Sequence, residues 1–397
     1  MNEQIHRLDA LRSRLNHGGG ALLCPGPMSR NCVDAILEIG RARQIPFVII
    51  ASRQQIDSRE MGGGYANGWD TRSFASYVRE RDADGGLLLA RDHGGPWQNE
   101  RESGLDADAA MASALDSYRT DLEAGFDLIH LDPGKNLEGI PDPEERVALF
   151  LERTKTLLAA LHDHSRSLGI APGFEVGTDM GPVGEMAPST WVPWVERLLD
   201  FCREEGLPRP DFLVTPVETR VMETRNVGKL EVKCIDQTSV QQHQGLREWV
   251  AFCRRHGLFM KVHNADYSAQ HVLTGLSAAG VHAVNVAPEF GVVETRAFLG
   301  LLHEVNRLDL RDRLVDLALE RGQFKKWLLP NSRATDFDRT VISGHYLFAT
   351  EPFREIRAEA LRACAPRGID MDRMLREAVR QSVLRYVIAF QAAVGRA

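Results

Sequence analysis

Short apolar runs alternate with longer amphipathic stretches along most of this chain, and this alternation constrains the fold more than any other feature. The runs are largely continuous rather than alternating in polarity, as is typical of strands covered on both faces. Strands that alternate with helices form βαβ units and a parallel sheet. Eight strands are predicted in this way: Ala21–Cys24, Phe47–Ala51, Leu87–Arg91, Leu128–Leu131, Ala171–Val176, Phe212–Thr215, Phe259–Val262 and Ala283–Val286.

The stretches between these strands have helical periodicity, and their number favours a closed barrel. They include Asn31–Arg43, Ala107–Glu123, Glu144–Ser167, Trp191–Glu205, Gly245–His256 and Ala269–Ala278. About eight strand–helix repeats predict an α/β fold of the (β/α)8 TIM-barrel class. An open doubly wound sheet is the alternative. Its nucleotide-binding version is disfavoured because no phosphate-binding GxGxxG or GxxxxGK[ST] motif follows the first strand.

The last hundred or so residues differ from the rest of the chain. From Arg296 onward the sequence has helical patterns, interrupted by a loop around Leu329–Asp338. We therefore predict a barrel over residues 1–296 and a C-terminal helical extension over residues 297–397 that packs on it.

Composition argues against several classes of protein. The chain has 397 residues, 43% of them hydrophobic, and a net charge of -7 without any block of like charge, which argues against a nucleic-acid partner. No apolar run approaches the roughly 20 residues of a membrane helix, and the first residues do not form a signal peptide. The six cysteines show no CxxC spacing. These features predict a cytoplasmic protein with reduced cysteines.

Reactive side chains gather where the predicted strands end. In a (β/α)8 barrel, the carboxyl ends of all strands meet at one mouth, where the active site is built. Carboxylates, imidazoles and an amide would then converge: Asp92 and His93 after the third strand, Glu175 in the fifth, His263 after the seventh and Asn285 in the eighth. Other polar residues near strand ends are His130, for which a packed core histidine is the alternative, Asp132, Asp179 and Asp266.

These residue types suit chemistry next to a carbonyl group. Two imidazoles and a carboxylate can hold a divalent metal, which polarises a carbonyl and stabilises an enediolate. An aspartate beside a metal ligand can move a proton to or from a hydroxyl. Carbon–carbon bond cleavage and epimerisation both fit. An enzyme that forms an imine on Lys261 is an alternative, because Lys261 and His263 are two residues apart and point to the same face of a strand.

Seven segments carry a resemblance to a known family. The chain resembles the accessory, non-catalytic subunit of class II D-tagatose-1,6-bisphosphate aldolase and, more distantly, the catalytic class II ketose-bisphosphate aldolases. The segments follow the family's order across most of the chain: FVIIASRQQIDSREMGGGYANGWDTRSF, LLLARDHGGPWQNE, DLIHLDPG, FEVGTDMGP, KVHNADY, VNVAPEFG and WLLPNSR.

The resemblance implies roles for five residues. Asp92 matches the catalytic acid/base of class II aldolases, and His93 and His263 match metal-ligand histidines. Glu175 occupies the place of the acidic residue on the fifth strand, and Asn285 matches the asparagine that binds the ketose-derived donor.

The sequence departs from the catalytic aldolases at three places. No histidine follows the sixth strand, where the chain reads VTPVE, so Glu218 is an alternative to Glu175 as the carboxylate ligand. The segment Asn264–Tyr267 replaces a glycine-rich phosphate-binding turn, and Pro288 replaces a small hydroxyl residue.

The sequence thus predicts a metal-dependent aldolase-like enzyme or related epimerase that acts on a sugar, sugar phosphate or sugar acid, with zinc as its divalent metal. The alternative is an accessory subunit that stabilises a separate tagatose-bisphosphate aldolase, so the protein partner is either a second copy of the chain or that aldolase. Arginine suits a bidentate grip on an anion, and Arg333 is expected to fold back to the mouth. The predicted site contains Asp92 and Asn285 as catalytic residues, Ser52, Gly63, Asp132, Asp266 and Arg333 as substrate-binding residues, and His93, Glu175 and His263 as metal ligands.

Overall fold

A computed structural model of the chain describes residues 2–18, 20–179, 188–217 and 219–392. Eight parallel strands form one sheet that curls into a nearly closed barrel, which confirms the predicted fold class. The two remaining strands of the described residues, β7 and β8, pair as a short antiparallel hairpin. The strands are β1 (Leu22–Pro25), β2 (Val48–Ser52), β3 (Leu88–Gly94), β4 (Leu128–Leu131), β5 (Gly173–Gly177), β6 (Phe212–Val214), β7 (Val221–Met222), β8 (Arg225–Asn226), β9 (Phe259–Val262) and β10 (Ala283–Val286).

The barrel strands follow chain order around the sheet, from β2 through β3, β4, β5, β6, β9 and β10 to β1. Every neighbouring pair is parallel, and the pairing of β10 with β1 brings Asn285 level with Cys24. Strands β1 and β2 lie in contact at the seam without a hydrogen-bonded ladder. Since all eight strands run in the same direction, their carboxyl ends meet at one mouth, as a barrel requires.

Helices surround the barrel, and most predicted helices agree with them to within about three residues. They are α1 (Asn2–Asn16), α2 (Arg30–Arg43), α3 (Thr71–Arg79), α4 (Ala107–Glu123), α5 (Pro143–Leu168), α6 (Pro188–Glu204), α7 (Lys229–Lys233), α8 (Gln237–Gln242), α9 (Gln244–His256), α10 (Gln270–Ala279), α11 (Pro288–Glu304), α12 (Leu308–Arg321), α13 (Asp336–Ser343), α14 (Glu351–Cys364) and α15 (Met371–Ala392).

Helix α1 covers the end of the barrel opposite the mouth. Its buried leucines, Leu8, Leu11 and Leu15, pack with apolar side chains of the barrel interior such as Leu88 and Phe212. Ion pairs from α1 to residues just before β4 and β6 hold the helix in place. Because apolar side chains fill this end, polar chemistry inside the barrel is confined to the mouth.

The C-terminal extension forms a core of its own and also completes the wall of the barrel. Residues of α11 to α14 and the start of α15 pack into a second apolar cluster. The rest of α15 packs on β1, α2, α10 and α11, and its Val383 and Phe390 join the main core. The boundary predicted between residues 296 and 297 lies inside α11, so this division stays a prediction. None of the described helices combines the length and apolar character needed to cross a bilayer.

Candidate active site

A β-bulge in β3 brings the consecutive side chains of Asp92 and His93 to the mouth. Arg91 is level with Ile129 of β4, whereas Gly94 is level with Leu131, so β3 carries one extra residue at this point. Consecutive residues of a regular strand point to opposite faces, and a bulge relaxes this rule. His93, inside the bulge, has a φ of 41°, a backbone conformation that is uncommon for residues other than glycine and that concentrates at functional sites.

His93 and His263 meet at the mouth. The Nε2 atom of His93 lies 3.2 Å from the Nδ1 atom of His263. The other ring nitrogen of His93 donates to the Asp132 carboxylate over 2.8 Å, because an ionised carboxylate can only accept. This bond places a proton on Nδ1 of His93 and leaves Nε2, which faces His263, to hold either a second proton or a metal. Histidines that bind a metal through one ring nitrogen commonly donate the N–H of the other nitrogen to a carboxylate in this way.

His130 is the third imidazole of the cluster, and both of its nitrogens are already bonded. Its Nδ1 accepts from the backbone N–H of His93 over 3.1 Å, so its Nε2 carries the proton and donates to the Gly177 carbonyl over 3.0 Å. A ring held in this way has no lone pair left for a metal. His130 therefore acts as a buried support for the bulge that carries His93.

Asp179 supplies the carboxylate nearest to the two facing nitrogens. Its Oδ1 lies 3.4 Å from His263 Nδ1 and 3.8 Å from His93 Nε2. This oxygen is buried and has no hydrogen-bond partner among the described residues. The other oxygen of Asp179 accepts from the Asn264 amide, which orients the carboxylate. Burial alone would raise the pKa of Asp179, but the neighbouring His263 and His93 outweigh it and lower the pKa.

The spacing of these three ligand atoms suits one divalent ion. Two nitrogens bound to the same tetrahedral zinc at about 2.0–2.1 Å lie about 3.3–3.4 Å apart. The observed separations of 3.2, 3.4 and 3.8 Å are close to this value. A buried carboxylate oxygen without a partner is costly unless something binds it. His93, Asp179 and His263 therefore fit a metal better than the alternative group of Asp92, His130 and His263, whose His130 is fully bonded.

Asp92 lies beside the proposed ligands and remains ionised. Burial alone would raise its pKa, but His93, His263 and His130 lower the pKa well below the ordinary range for a carboxylate. Its Oδ1 accepts from Asn285 Nδ2 over 3.0 Å and lies 3.6 Å from His263 Nε2. Since the amide nitrogen of Asn285 faces Asp92, its carbonyl oxygen is left without a partner among the described residues. Both residues line the mouth cavity.

The charge around His93 favours a cation. Burial alone would lower the pKa of His93, but Asp92, Asp132 and Asp179 raise it to about 10. An environment that holds a proton this strongly also attracts a metal cation, which competes for the same lone pair. Three carboxylates thus surround two imidazoles at this end of the cavity.

The structure places Glu175 away from the two facing imidazoles. Its two oxygens accept from Lys261 Nζ over 2.7 and 2.8 Å inside the barrel, and both side chains are almost fully buried. Burial alone would lower the pKa of Lys261, but Glu175 raises it. A protonated and ion-paired Lys261 is a poor nucleophile, so the arrangement disfavours an imine mechanism. Neither Glu175 nor Asp179 lines the mouth cavity, so it is the short distances from Asp179 to the imidazoles that distinguish the two carboxylates.

Three of the predicted substrate-binding residues lie at or next to the mouth cavity. Ser52 and Asp266 line it, whereas Asp132 lies just behind His93. Asp266 is buried and its carboxylate accepts from the backbone N–H groups of Ala287 and Glu289, at the start of α11. Burial raises the pKa of Asp266 to about 7.

The other two predicted substrate-binding residues lie elsewhere. Gly63 lines a separate cavity with Arg53, Asn99 and Arg321, and its φ of 69° is a turn conformation that favours glycine. Arg333 is exposed and lines a third cavity with Arg296 and Glu223. The structure therefore does not bring Arg333 to the mouth cavity.

The mouth cavity has a volume of about 240 Å³. Pockets for drug-sized ligands measure roughly 300–1,000 Å³, so this cavity suits a smaller molecule. Three residues of the C-terminal extension, Lys326, Trp327 and Tyr346, form part of its wall, and Lys135 from the loop after β4 forms another part. Of these residues, only Trp327 belongs to a segment singled out in the sequence, WLLPNSR.

Asp179 was also not selected as a candidate ligand, although it lies in the segment FEVGTDMGP that carries the resemblance. Gly177, at the end of β5, has a φ of 120° and lies against the backbone of Val214, where a Cβ would collide with the Val214 carbonyl. This tight turn redirects the chain so that Asp179, rather than Glu175, reaches the imidazoles. Glu218, the alternative ligand, lies outside the described residues.

Comparisons of sequence bear out the predicted resemblance. No family model matches the chain. It is similar to the D-tagatose-1,6-bisphosphate aldolase subunit GatZ of Salmonella gallinarum, with 24% identity over 275 residues that cover 64% of this chain and 60% of that protein. The protein of the same name from Salmonella newport has the same identity and coverage. The match thus spans less than two thirds of the relatives' own length.

Comparisons of structure agree with the barrel fold. A probable tagatose 6 phosphate kinase from Sinorhizobium meliloti has a TM-score of 0.66 and 19% identity, covering 94% of this chain and 100% of that chain. The fructuronate-tagaturonate epimerase UxaE from Cohnella laeviribosi has a TM-score of 0.56 and 15% identity, covering 93% of this chain and 82% of that chain. At these identities the likeness shows the fold alone.

Proposed function

We propose that this chain is a metal-dependent, class II aldolase-like enzyme that cleaves, forms or epimerises through a carbon–carbon bond next to a carbonyl in a small sugar, sugar phosphate or sugar acid. One observation carries the proposal: His93 Nε2 and His263 Nδ1 lie 3.2 Å apart beside an Asp179 oxygen that has no hydrogen-bond partner in the described chain. Asp92 lies next to this group at the same mouth.

His93, His263 and Asp179 would hold the divalent metal, and their nitrogen and oxygen ligands suit zinc. When bound, such a metal polarises a carbonyl oxygen and stabilises the negative charge that develops on it. Asp132 orients the His93 ring, and Asn264 orients the Asp179 carboxylate. These supports limit the ligands to one arrangement, which is how outer contacts tune a metal site.

Asp92 is the proposed proton-transfer residue. Its ionised carboxylate can accept the proton of a substrate hydroxyl as the carbon–carbon bond next to the carbinol carbon breaks. The carbinol carbon becomes a carbonyl, and the electron pair of the broken bond passes to the fragment that carries the original carbonyl. Return of the proton from Asp92 accompanies bond formation in the reverse direction. Asn285 positions Asp92 through its amide nitrogen and offers its free carbonyl oxygen to a substrate hydroxyl.

The sequence relatives support the substrate class of this proposal. Their name describes a subunit of an aldolase for tagatose 1,6-bisphosphate, a ketose with two phosphate groups. The small volume of the mouth cavity also suits a monosaccharide derivative.

A second candidate function is an accessory role, in which the chain stabilises a separate tagatose-bisphosphate aldolase. The word "subunit" in the relatives' name favours it, as does the absence of a histidine from the described residues that directly follow β6, Thr215–Val217. In this role, the polar strand ends would bind a ligand without turning it over.

A direct assay separates the two candidates. The purified, zinc-loaded full chain is incubated alone with tagatose 1,6-bisphosphate and with tagaturonate, and products are followed by NMR with and without a chelator. Chelator-sensitive cleavage or epimerisation by the wild type, lost in His263→Ala, supports the enzyme. If the chain alone is inactive but raises the stability or turnover of an added tagatose-bisphosphate aldolase, the accessory role is correct and the enzymatic proposal fails.

A further inference from the structure

The mouth cavity has a basic side as well as a metal-binding side. Lys135, in the loop after β4, and Lys326, in a short 3-10 segment of the C-terminal extension (Gln323–Trp327), both line it. The two lysines are far apart in sequence, so the fold itself brings their ammonium groups to one cavity.

Lys135 forms no close ion pair among the described residues, although the charges of Asp132, Glu100 and Glu102 act on it. Lys326 has one long ion pair, and its ammonium group lies 4.7 Å from the centre of the Tyr346 ring. Lys135 Nζ donates to the carbonyl oxygen of Trp97 over 3.1 Å, which leaves further N–H donors of a three-proton ammonium group. Lys326 Nζ lies 3.8 Å from Glu100, whose side chain is 63% exposed. A pair at this distance with an exposed carboxylate contributes little, because solvent screens it.

The two ammonium groups also repel each other. Burial lowers the pKa of Lys135 and of Lys326. Glu100 opposes this lowering at Lys326, whereas the charge of Lys135 adds to it. Like charges that share a partly desolvated cavity are unfavourable until an anion is placed between them. The two positive charges therefore favour the binding of an anionic group in the cavity.

The acidic and candidate metal-binding side chains lie on other parts of the same cavity wall. Asp92, His93 and His263 line the cavity together with the lysines. A molecule that reaches both parts needs oxygen ligands for a metal at one end and an anionic group at the other. A cavity of about 240 Å³ limits such a molecule to a small one.

We infer that Lys135 and Lys326 form an anion subsite that takes the terminal carboxylate or phosphate of a small sugar derivative. The sugar part of this inference rests on the proposed function, whereas the binding of the anion does not. The sequence predicted that Arg333 would bind the anionic group of the substrate, but Arg333 lines another cavity, and the two lysines take this role instead. Trp327, next to Lys326 in the chain, adds an apolar surface beside the subsite.

Calorimetric titration of the zinc-loaded full chain tests the subsite. The probes are D-tagatose 6-phosphate, D-tagaturonate and neutral D-tagatose, applied to wild type, Lys135→Gln and Lys326→Gln. Lys325→Gln is the matched control, because Lys325 is the neighbouring lysine in the chain and does not line the mouth cavity. Thermal unfolding and zinc content are measured on each sample.

The expected result is that at least one anionic probe binds more tightly than D-tagatose, and the preferred probe identifies the phosphate or the carboxylate as the natural group. Hydrogen bonds to charged groups contribute about 1.5–3 kcal/mol, so each mouth lysine variant should weaken that probe by about 10–100-fold relative to Lys325→Gln. Anionic probes that bind no more tightly than D-tagatose, or not at all, overturn the subsite. So do Lys135 and Lys326 variants that bind them as the control does. If zinc does not bind but lysine-dependent anion binding persists, the proposed function fails and the subsite stands.

Discussion

The Nε2 atom of His93 lies 3.2 Å from the Nδ1 atom of His263, although the two residues are 170 positions apart in the chain. A bulge in β3 and the end of β9 bring them together, and Asp132 fixes the orientation of His93. This contact and the neighbouring Asp179 oxygen define the proposed metal site.

Asp92→Asn should lower turnover by about 10²–10⁴-fold, the usual contribution of a positioned acid–base group, with little change in zinc content. The substitution keeps the size of the side chain and removes the carboxylate that accepts the proton. Steady-state kinetics on the substrate found for the wild type, with zinc measured on the same sample, provide the test. Full activity of this variant would remove Asp92 from the mechanism.

Asp132→Asn should lower zinc affinity by about 10–100-fold, as is typical when the partner of a ligating histidine is changed. Asp132 accepts a hydrogen bond from His93 Nδ1, so it would influence a bound metal only through that ring. Turnover should therefore recover at high zinc concentration, unlike that of Asp92→Asn. Competition with a zinc chelator measures the affinity, and a variant that binds zinc like the wild type would contradict the role of Asp132.

Glu175→Gln should destabilise the fold by about 3–5 kcal/mol, because it leaves the buried Lys261 ammonium without its ion pair. Replacing both residues by methionine should recover much of the loss, since apolar pairs of similar volume replace buried ion pairs well. Chemical denaturation gives the free energies. Loss of zinc from Glu175→Gln without loss of stability would show instead that Glu175 is a ligand.

His345 should make the fold sensitive to mild acid. Burial lowers its pKa to about 3, and both ring nitrogens lack a hydrogen-bond partner among the described residues. As the pH falls below about 6.5, the unfolded chain takes up a proton that the folded chain excludes, so the free energy of unfolding decreases by about 1.4 kcal/mol per pH unit. Above that pH His345 is neutral in both the folded and the unfolded chain, so it does not change the free energy of unfolding with pH.

Denaturation of wild type and His345→Phe between pH 7.5 and pH 5 tests this point. The stability of the variant should fall less steeply with acid than that of the wild type. Equal slopes for the two proteins would mean that His345 is protonated in the folded state.

The sequence predicts the barrel well, because its strands are buried on both faces and read as short apolar runs. Strand β4, for example, has the predicted bounds Leu128–Leu131. Helix α1 was not among the helices selected from the pattern, although its three buried leucines are the feature that indicates it. The grouping of reactive residues at strand ends also followed from the barrel alone.

The depth of a residue inside the barrel did not follow from the sequence. Glu175 lies at the middle of β5, and only the tertiary position of Lys261 shows that its carboxylate is already paired. Asp179 reaches the imidazoles because Gly177 turns sharply at the end of β5. Likewise, the contact of Lys326 with the mouth cavity depends on how the C-terminal extension folds back, which local patterns do not encode.

Zinc content of the purified full chain after reconstitution and gel filtration tests the metal site most directly. The comparison is between wild type, Asp179→Asn, His263→Ala and, as a matched carboxylate control, Glu175→Gln. We predict close to one zinc per wild-type chain, marked loss in Asp179→Asn and His263→Ala, and retention in folded Glu175→Gln. A wild type that holds no zinc, or an Asp179→Asn protein that holds as much as the wild type, would contradict the site of His93, His263 and Asp179.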